Sequence, residues 1–281
     1  MRALSSADCL DLWERGLGLH PLDQGLLALG AALPETPYES LADWPLGRRN
    51  SALTELHCAC FGRNLRGQVS CPRCAESLEF QVDGEALLKK EPTPHSQPFS
   101  PQPPRLPLGV ALPSSRRGEL RDGEQSPTVS EAEGQEGEGR SAGTPIVVKG
   151  HSFRLPTSRD LARAAREGDS RLAAIQLLES CRLEAGDKAD WPDAELEEIG
   201  EALVSADPLA ELRLRFDCVH CGHEWDESLD MVAFLWAEIE ARAKRLLMEV
   251  HALAAVYGWT EKEILSLSAR RRRLYLEMVT A

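Results

Sequence analysis

The chain has 281 residues, with 45 acidic against 32 basic side chains and a formal charge of −13. That length accommodates one or two domains, and the acidity argues against broad nucleic-acid binding, which depends on Lys and Arg neutralising phosphates. No apolar run approaches the roughly 18 residues of a membrane span.

Residues 1–88 read as helices followed by a small hairpin. Leu10, Leu12, Trp13 and Leu17 give a first short apolar face. Pro21 can open a second helix, with Leu22, Leu26, Leu27 and Leu29 at helical spacing. Pro45 and Gly47 precede a third, carrying Leu53, Leu56, Cys60 and Leu65. Alternating segments at 67–70 and 77–82 then flank Cys71-Pro72-Arg73-Cys74.

From 89 to 144 the pattern stops. Pro101, Pro103 and Pro104 are followed by an acidic, glycine-rich tract at 131–139. Such a stretch has too little apolar surface to offset the entropy of ordering it, so a disordered linker is expected.

The segment 145–281 opens with a predicted hairpin, Ile146 to Val148 against Phe153 and Leu155. Thr157 or Ser158 can cap a helix from Leu161, and further short helices are expected over 172–178 and 196–204. Strands at 211–217 and 223–230 flank Cys218-Val219-His220-Cys221, where Gly222 suits a turn with positive φ. Val232, Trp236, Ile239, Ala243, Leu246, Val250, Leu253 and Tyr257 then recur at steps of four and three. This predicts a helix over 229–257, ~40 Å long at 1.5 Å per residue. Its stripe needs cover, either from the short helices of 157–206 or from a partner. Thr260 to Glu263 forms a capping box, and Ser268 can cap a last helix containing Arg270 to Arg273. Those four arginines are expected on a solvated or partner-facing surface.

The two Cys-x-x-Cys turns carry the chemistry. Each lets two thiolates converge on one ion, and together they complete a tetrahedral zinc shell. A thioredoxin-like redox pair would sit in a strand–helix context that is absent here. One shared structural zinc site, Cys71, Cys74, Cys218 and Cys221, is therefore preferred. The alternative is two sites, one completed by Cys58 and Cys60 and the other by His220 and His223. Cys58 and Cys60 fall two apart in a helical pattern and point in different directions. His220 and His223 beside Glu224 could support a metal-bound water, but four thiolates would close the shell. Cys9 and Cys181 read as helix-packing residues. The expected fold class is α+β, mostly helical with two zinc-knuckle hairpins, the halves joined by the long linker.

Several motifs resemble a known family. Leu12 to Gly16, His20 to Asp23 and Pro45 to Asn50 are similar to the opening of T4-type phage baseplate (hub assembly) proteins of phage-like contractile injection systems. So are Arg154 to Leu161, Asp207 to Glu211, the second knuckle with Trp225, and the run from Phe234 to Trp236 through Tyr257 to Trp259 and Tyr275 to Glu277. The chain departs from the expected pattern at Ala75, where a glycine should follow the first knuckle, and at Cys58 and Cys60. The resemblance implies a non-enzymatic structural or assembly role, with baseplate, hub or spike proteins as partners. It implies no nucleic acid, membrane or small-molecule substrate. A zinc-ribbon adaptor for nucleic acid or the transcription machinery is the competing class. Arg2 followed by acidic residues lacks the apolar block of a secretion signal, so the cytoplasm is the expected compartment, with assembly into or onto a tail-like particle.

Overall fold

The computed structural model describes residues 1–89, 144–184 and 191–280. The linker expected over 89–144 lies almost wholly outside the described residues. The rest is mostly helical with three two-stranded antiparallel hairpins.

The larger core is built from both halves of the chain. From the first half come α1 (Ser6–Gly16), α2 (Pro21–Ala32), the short α3 (Tyr38–Ala42) and α4 (Leu46–Phe61). Ser5 and Asp8 form a reciprocal capping box on α1, and Pro21 sits in the first turn of α2. The chain turns at Gly62, so Leu65 lies in a strand rather than on α4, and α3 carries no pattern that announced it. Both differences reflect how little a five-residue helix or a helix end imposes on sequence periodicity.

The predicted long helix is present as α9 (Met231–Tyr257), started by the Asp230 side chain and ended by Gly258 at φ +66°. Val232, Ile239, Ala243, Leu246 and Leu253 of its stripe are buried. Their main cover is not the helices of 157–206. They pack on α1, α2 and α4, and on α10 (Glu261–Ser266) and α11 (Ala269–Thr280) beyond the turn. Close approach explains the choice: a Cβ added at Gly16 would fall 1.9 Å from the Trp236 ring. Only a residue without a side chain lets α1 receive that indole.

A second, smaller core holds Phe153, Leu178, Cys181, Trp191, Ile199 and Leu203. These come from the hairpin β3 (Ile146–Val148) and β4 (His151–Phe153), from α7 (Ser170–Cys181) and α8 (Asp193–Ala206), and from Trp191. The Trp191 indole N–H donates to Glu179 at 2.6 Å, which removes the cost of burying it. The preceding helix α6 (Ser158–Ala164) starts at Thr157 with Asp160 in a capping box. Asp160 is buried and accepts from Arg154 at 2.6 and 2.9 Å.

A polar seam joins the halves. The Leu46 N–H donates to the Pro156 carbonyl at 3.0 Å, and the Gly47 N–H to Asp207 at 2.8 Å. The Asn50 amide donates to the carbonyls of Leu209 and Ala210 at 2.8 and 3.1 Å. Arg159 reaches Asp43 at 2.7 Å and also bonds Glu39. The motifs around residues 45–50, 155–161 and 207–211 thus meet one another.

The arginine run is not uniformly exposed. Arg272 is only 4% exposed and donates to Glu249 at 2.9 Å, the Leu267 carbonyl at 2.7 Å and Ser6 at 3.1 Å. Helical geometry sends one residue in four inward, and here it is a cation anchoring α11 to α9 and α1. Arg272→Ala should cost about 2 kcal/mol in urea unfolding, the scale of hydrogen bonds to a charged group. Arg270→Ala and Arg271→Ala should each stay within about 0.5 kcal/mol of wild type.

His57 is buried against the rings of Phe61 and Phe234, and its Nδ1 has no hydrogen-bond partner among the described residues. Burial holds its pKa below the ordinary value, against a smaller opposing effect of a backbone hydrogen bond at Gly62. Below about pH 6.5 the unfolded chain accepts a proton there that the folded chain resists, so stability is full above that pH and falls beneath it. Between pH 6.5 and 5.5, thermal melts of wild type should lose up to about 1 kcal/mol more than those of His57→Leu. Equal losses would show that the folded protein tolerates the imidazolium.

Candidate metal centre

Two hairpins carry the cysteine turns. Strands β1 (Asn64–Ser70) and β2 (Ser77–Asp83) pair in register from Asn64 with Asp83 to Ser70 with Ser77. Strands β5 (Arg213–Asp217) and β6 (Glu224–Ser228) end on the pair Asp217 with Glu224. Each hairpin therefore closes over six residues, and the two turns share one hydrogen-bond pattern. Cys71 N–H donates to the Glu76 carbonyl at 2.8 Å and Ala75 N–H to the Cys71 carbonyl at 2.9 Å. In the second turn, Cys218 donates to His223 and Gly222 to Cys218, both at 2.8 Å.

The residue after the second cysteine has positive φ in both turns: +67° at Gly222 and +61° at Ala75. Ala75 thus keeps the turn geometry that a glycine would give, at the cost of Cβ strain in the left-handed region.

Aromatic packing sets the hairpins against each other. Phe80 of β2 meets Phe216 of β5 edge to face at 5.4 Å. Trp225 stacks on Phe216 at 5.5 Å, and His223 stacks on Trp225 at 5.9 Å. Phe80 can lie across its hairpin because its strand partner is Gly67. The alternation of these residues is legible in the sequence; their meeting across the halves is not.

The result is one group of four cysteines, Cys71, Cys74, Cys218 and Cys221, with all four Sγ atoms within 4.8 Å of one another. Two close approaches cross between the turns: Cys71 to Cys221 at 3.7 Å and Cys74 to Cys218 at 3.5 Å. A regular tetrahedron of sulfurs ~2.3 Å from a central metal has edges of ~3.8 Å, so the donor set and spacing fit a tetrahedral thiophilic ion. Cys71 and Cys218 are buried, while Cys74 and Cys221 are partly exposed.

The sulfurs do not ionise alike. Burial pushes the Cys71 thiol up, but the N–H groups of Arg73 and Cys74 and the thiols of Cys74 and Cys218 outweigh it, bringing it down to about 7. At Cys74 the Glu76 N–H favours the thiolate, yet desolvation and the shared protons of Cys218, Cys221 and Cys71 push the thiol up to about 12. Cys221 is raised as well: the His223 N–H favours its thiolate, but desolvation and the thiols of Cys218 and Cys71 outweigh that. One proton leaves readily and the next does not, because thiolates crowded together repel. A divalent cation at the centre removes that cost.

The additional residues of the two-site alternative are not gathered with the knuckle cysteines in the structure. Among the described residues, no other group of three or more potential ligands gathers in this way. Cys60 Sγ accepts from the Leu4 N–H at 3.2 Å, and Cys58 lies against Gly84. His220 is exposed, and Glu224 pairs with Arg215. Cys9 and Cys181 are buried packing residues, their thiols pushed up by burial to about 11 and about 12. Among the described residues no helix is long and apolar enough to cross a membrane. Comparisons with protein-family models, with curated proteins and with solved structures each return no match.

Ala75→Gly should raise stability by about 1 kcal/mol by relieving the positive φ, and Gly222→Ala should lower it by a similar amount. Chemical denaturation of the two variants checks the pair. A destabilised Ala75→Gly would mean that the Ala75 methyl makes packing worth more than the strain.

Proposed function

We propose that the protein is a non-enzymatic structural or assembly component of the baseplate of a phage-derived contractile injection system, held together by one structural zinc ion. The observation that carries the reading is the closed four-cysteine shell drawn equally from both halves. Four protein ligands fill a tetrahedron and leave no position for a substrate or an activated water, which is the arrangement of a structural rather than a catalytic zinc. The baseplate setting rests on the sequence motifs, several of which serve the fold itself: Gly16 seats Trp236, and Asn50 is tied to Leu209 and Ala210.

A partner protein has a surface to meet at the C-terminal end. Arg270 and Arg271 are exposed beside Leu274 and Met278, 48% and 65% exposed, on the outer face of α11. Neither arginine forms an ion pair with the described residues. Apolar anchors edged by cations suit a baseplate, hub or spike protein with an acidic rim. The proposed compartment is the cytoplasm, where the protein would assemble into or onto the tail-like particle. The zinc-ribbon adaptor remains the second class, favoured only by the hairpin form of the knuckles, since the net charge is −13.

Metal analysis of the purified protein should return one zinc per chain, lost in Cys218→Ser with Cys221→Ser. Two ions per chain, or one retained in that variant, would overturn the shared site. Co-expression with the sheath, tube and spike genes of the same cluster should give co-purification that Arg270→Glu with Arg271→Glu reduces at least tenfold, Arg272 being left intact. Unchanged capture by a folded variant would place docking elsewhere. Shifting of DNA or RNA at physiological salt, without capture of tail proteins, would favour the adaptor.

A further inference from the structure

We propose that the four-cysteine cluster is also an oxidation site, at which a peroxide exchanges the metal staple for two disulfides that join the halves, Cys71 to Cys221 and Cys74 to Cys218. The inference rests on reading the cluster as a metal shell and goes beyond it, because it concerns which sulfurs pair when the metal leaves.

Exposure and distance together set the pairing. Cys74 and Cys221 are the partly exposed sulfurs, and Cys71 and Cys218 are each only 2% exposed. Every exposed sulfur therefore has a buried one from the opposite half as its close neighbour, at 3.5 Å for Cys74 and 3.7 Å for Cys221. An oxidant from solvent reaches Cys74 or Cys221 first. The sulfur placed to resolve the product belongs to the other hairpin. The two pairs share no atom, so both bonds can form in one molecule. Each pair must close to ~2.05 Å, a movement of about 1.5 Å shared between two side chains.

The chemistry balances with hydrogen peroxide as the named oxidant. A thiolate attacks the O–O bond, becoming a sulfenic acid and releasing hydroxide; the resolving thiolate then attacks that sulfur, forming the S–S bond and expelling a second hydroxide. Protonation turns both hydroxides into water. Two peroxides accept four electrons from four thiolates, giving two disulfides, four waters after uptake of four protons, and the free divalent cation. Both products tie the first hairpin to the second, so the halves stay joined across the change.

Trypsin separates cross-hairpin from within-hairpin pairing, because Arg66, Arg73, Lys89, Arg215 and Arg242 put Cys71 on peptide 67–73, Cys74 on 74–89, and both Cys218 and Cys221 on 216–242; backbone fragmentation between Cys218 and Cys221 then assigns which of the two carries each partner peptide. The zinc-loaded full chain is treated with two equivalents of hydrogen peroxide beside a chromogenic zinc chelator. Remaining thiols are alkylated, and the protein is digested without reduction for mass spectrometry. The expected result is zinc release together with one species joining all three peptides, whose fragment ions place 74–89 on Cys218 and 67–73 on Cys221. In Cys71→Ser, peptide 74–89 should still be linked to 216–242.

A link between 67–73 and 74–89, with 216–242 closed on itself, would overturn the proposal, and so would fragment ions placing 67–73 on Cys218 and 74–89 on Cys221. So would sulfinic acids without disulfides, or an intact metal site at two equivalents. Protein purified without metal would count against the zinc reading alone; the same oxidation of that metal-free chain still decides the pairing, by the same three-peptide species.

Discussion

Cysteines 144 and 150 residues apart must come within 4 Å of each other for the two hairpins to face one another. That constraint organises the molecule. With the hairpins facing one another, α9 follows β6 and lies across α1, α2 and α4, and the seam at residues 45–50 meets its partners at 155–161 and 207–211. Closing so long a loop is entropically expensive in the unfolded chain. A permanent cross-link over that separation would contribute about 5 kcal/mol in the chain-entropy account. A metal held by both turns acts in the same sense, with the difference that it can be withdrawn.

Stability is shared unequally along the chain. The larger core joins α1, α2, α4 and α9 through leucines with almost no exposure, whereas the smaller one rests on six buried side chains and a few polar ties. Within the smaller core the buried pair of Arg154 and Asp160 fixes the start of α6 rather than adding much net energy, since desolvation offsets most of the attraction. The region of α6 to α8 is thus the part of the described structure most easily opened without disturbing the cysteine cluster.

Local features were readable in the sequence because local rules produce them. The N-cap at 157–158, the capping box at Thr260, the Gly258 stop and the alternation around both knuckles each depend on residues within a few positions of one another. That Cys71, Cys74, Cys218 and Cys221 gather into one group was readable too, since two matching half-sites suggest a common centre. What could not be read was pairing at a distance. The stripe of α9 shows that it needs cover, but not that Gly16 and the first three long helices supply it. The arginine run shows charge, but the inward turn of Arg272 depends on Glu249 and Ser6, which lie 23 and 266 residues away. Ala75 misleads for a different reason: the preference for glycine in a left-handed turn is only about 1 kcal/mol, and a metal-bound turn can override it.

The order in which the chain leaves the ribosome adds a consequence of α9 closing the larger core. Helices α1, α2 and α4 are complete by Phe61, yet the surface that buries their leucines arrives only with residues 231–257. At ~5–20 residues per second, the nascent first half waits roughly 10–40 s without the α9 face that completes its cover. During that interval α1, α2 and α4 have only one another for cover, and the larger core is complete only once residues 231–257 have been made.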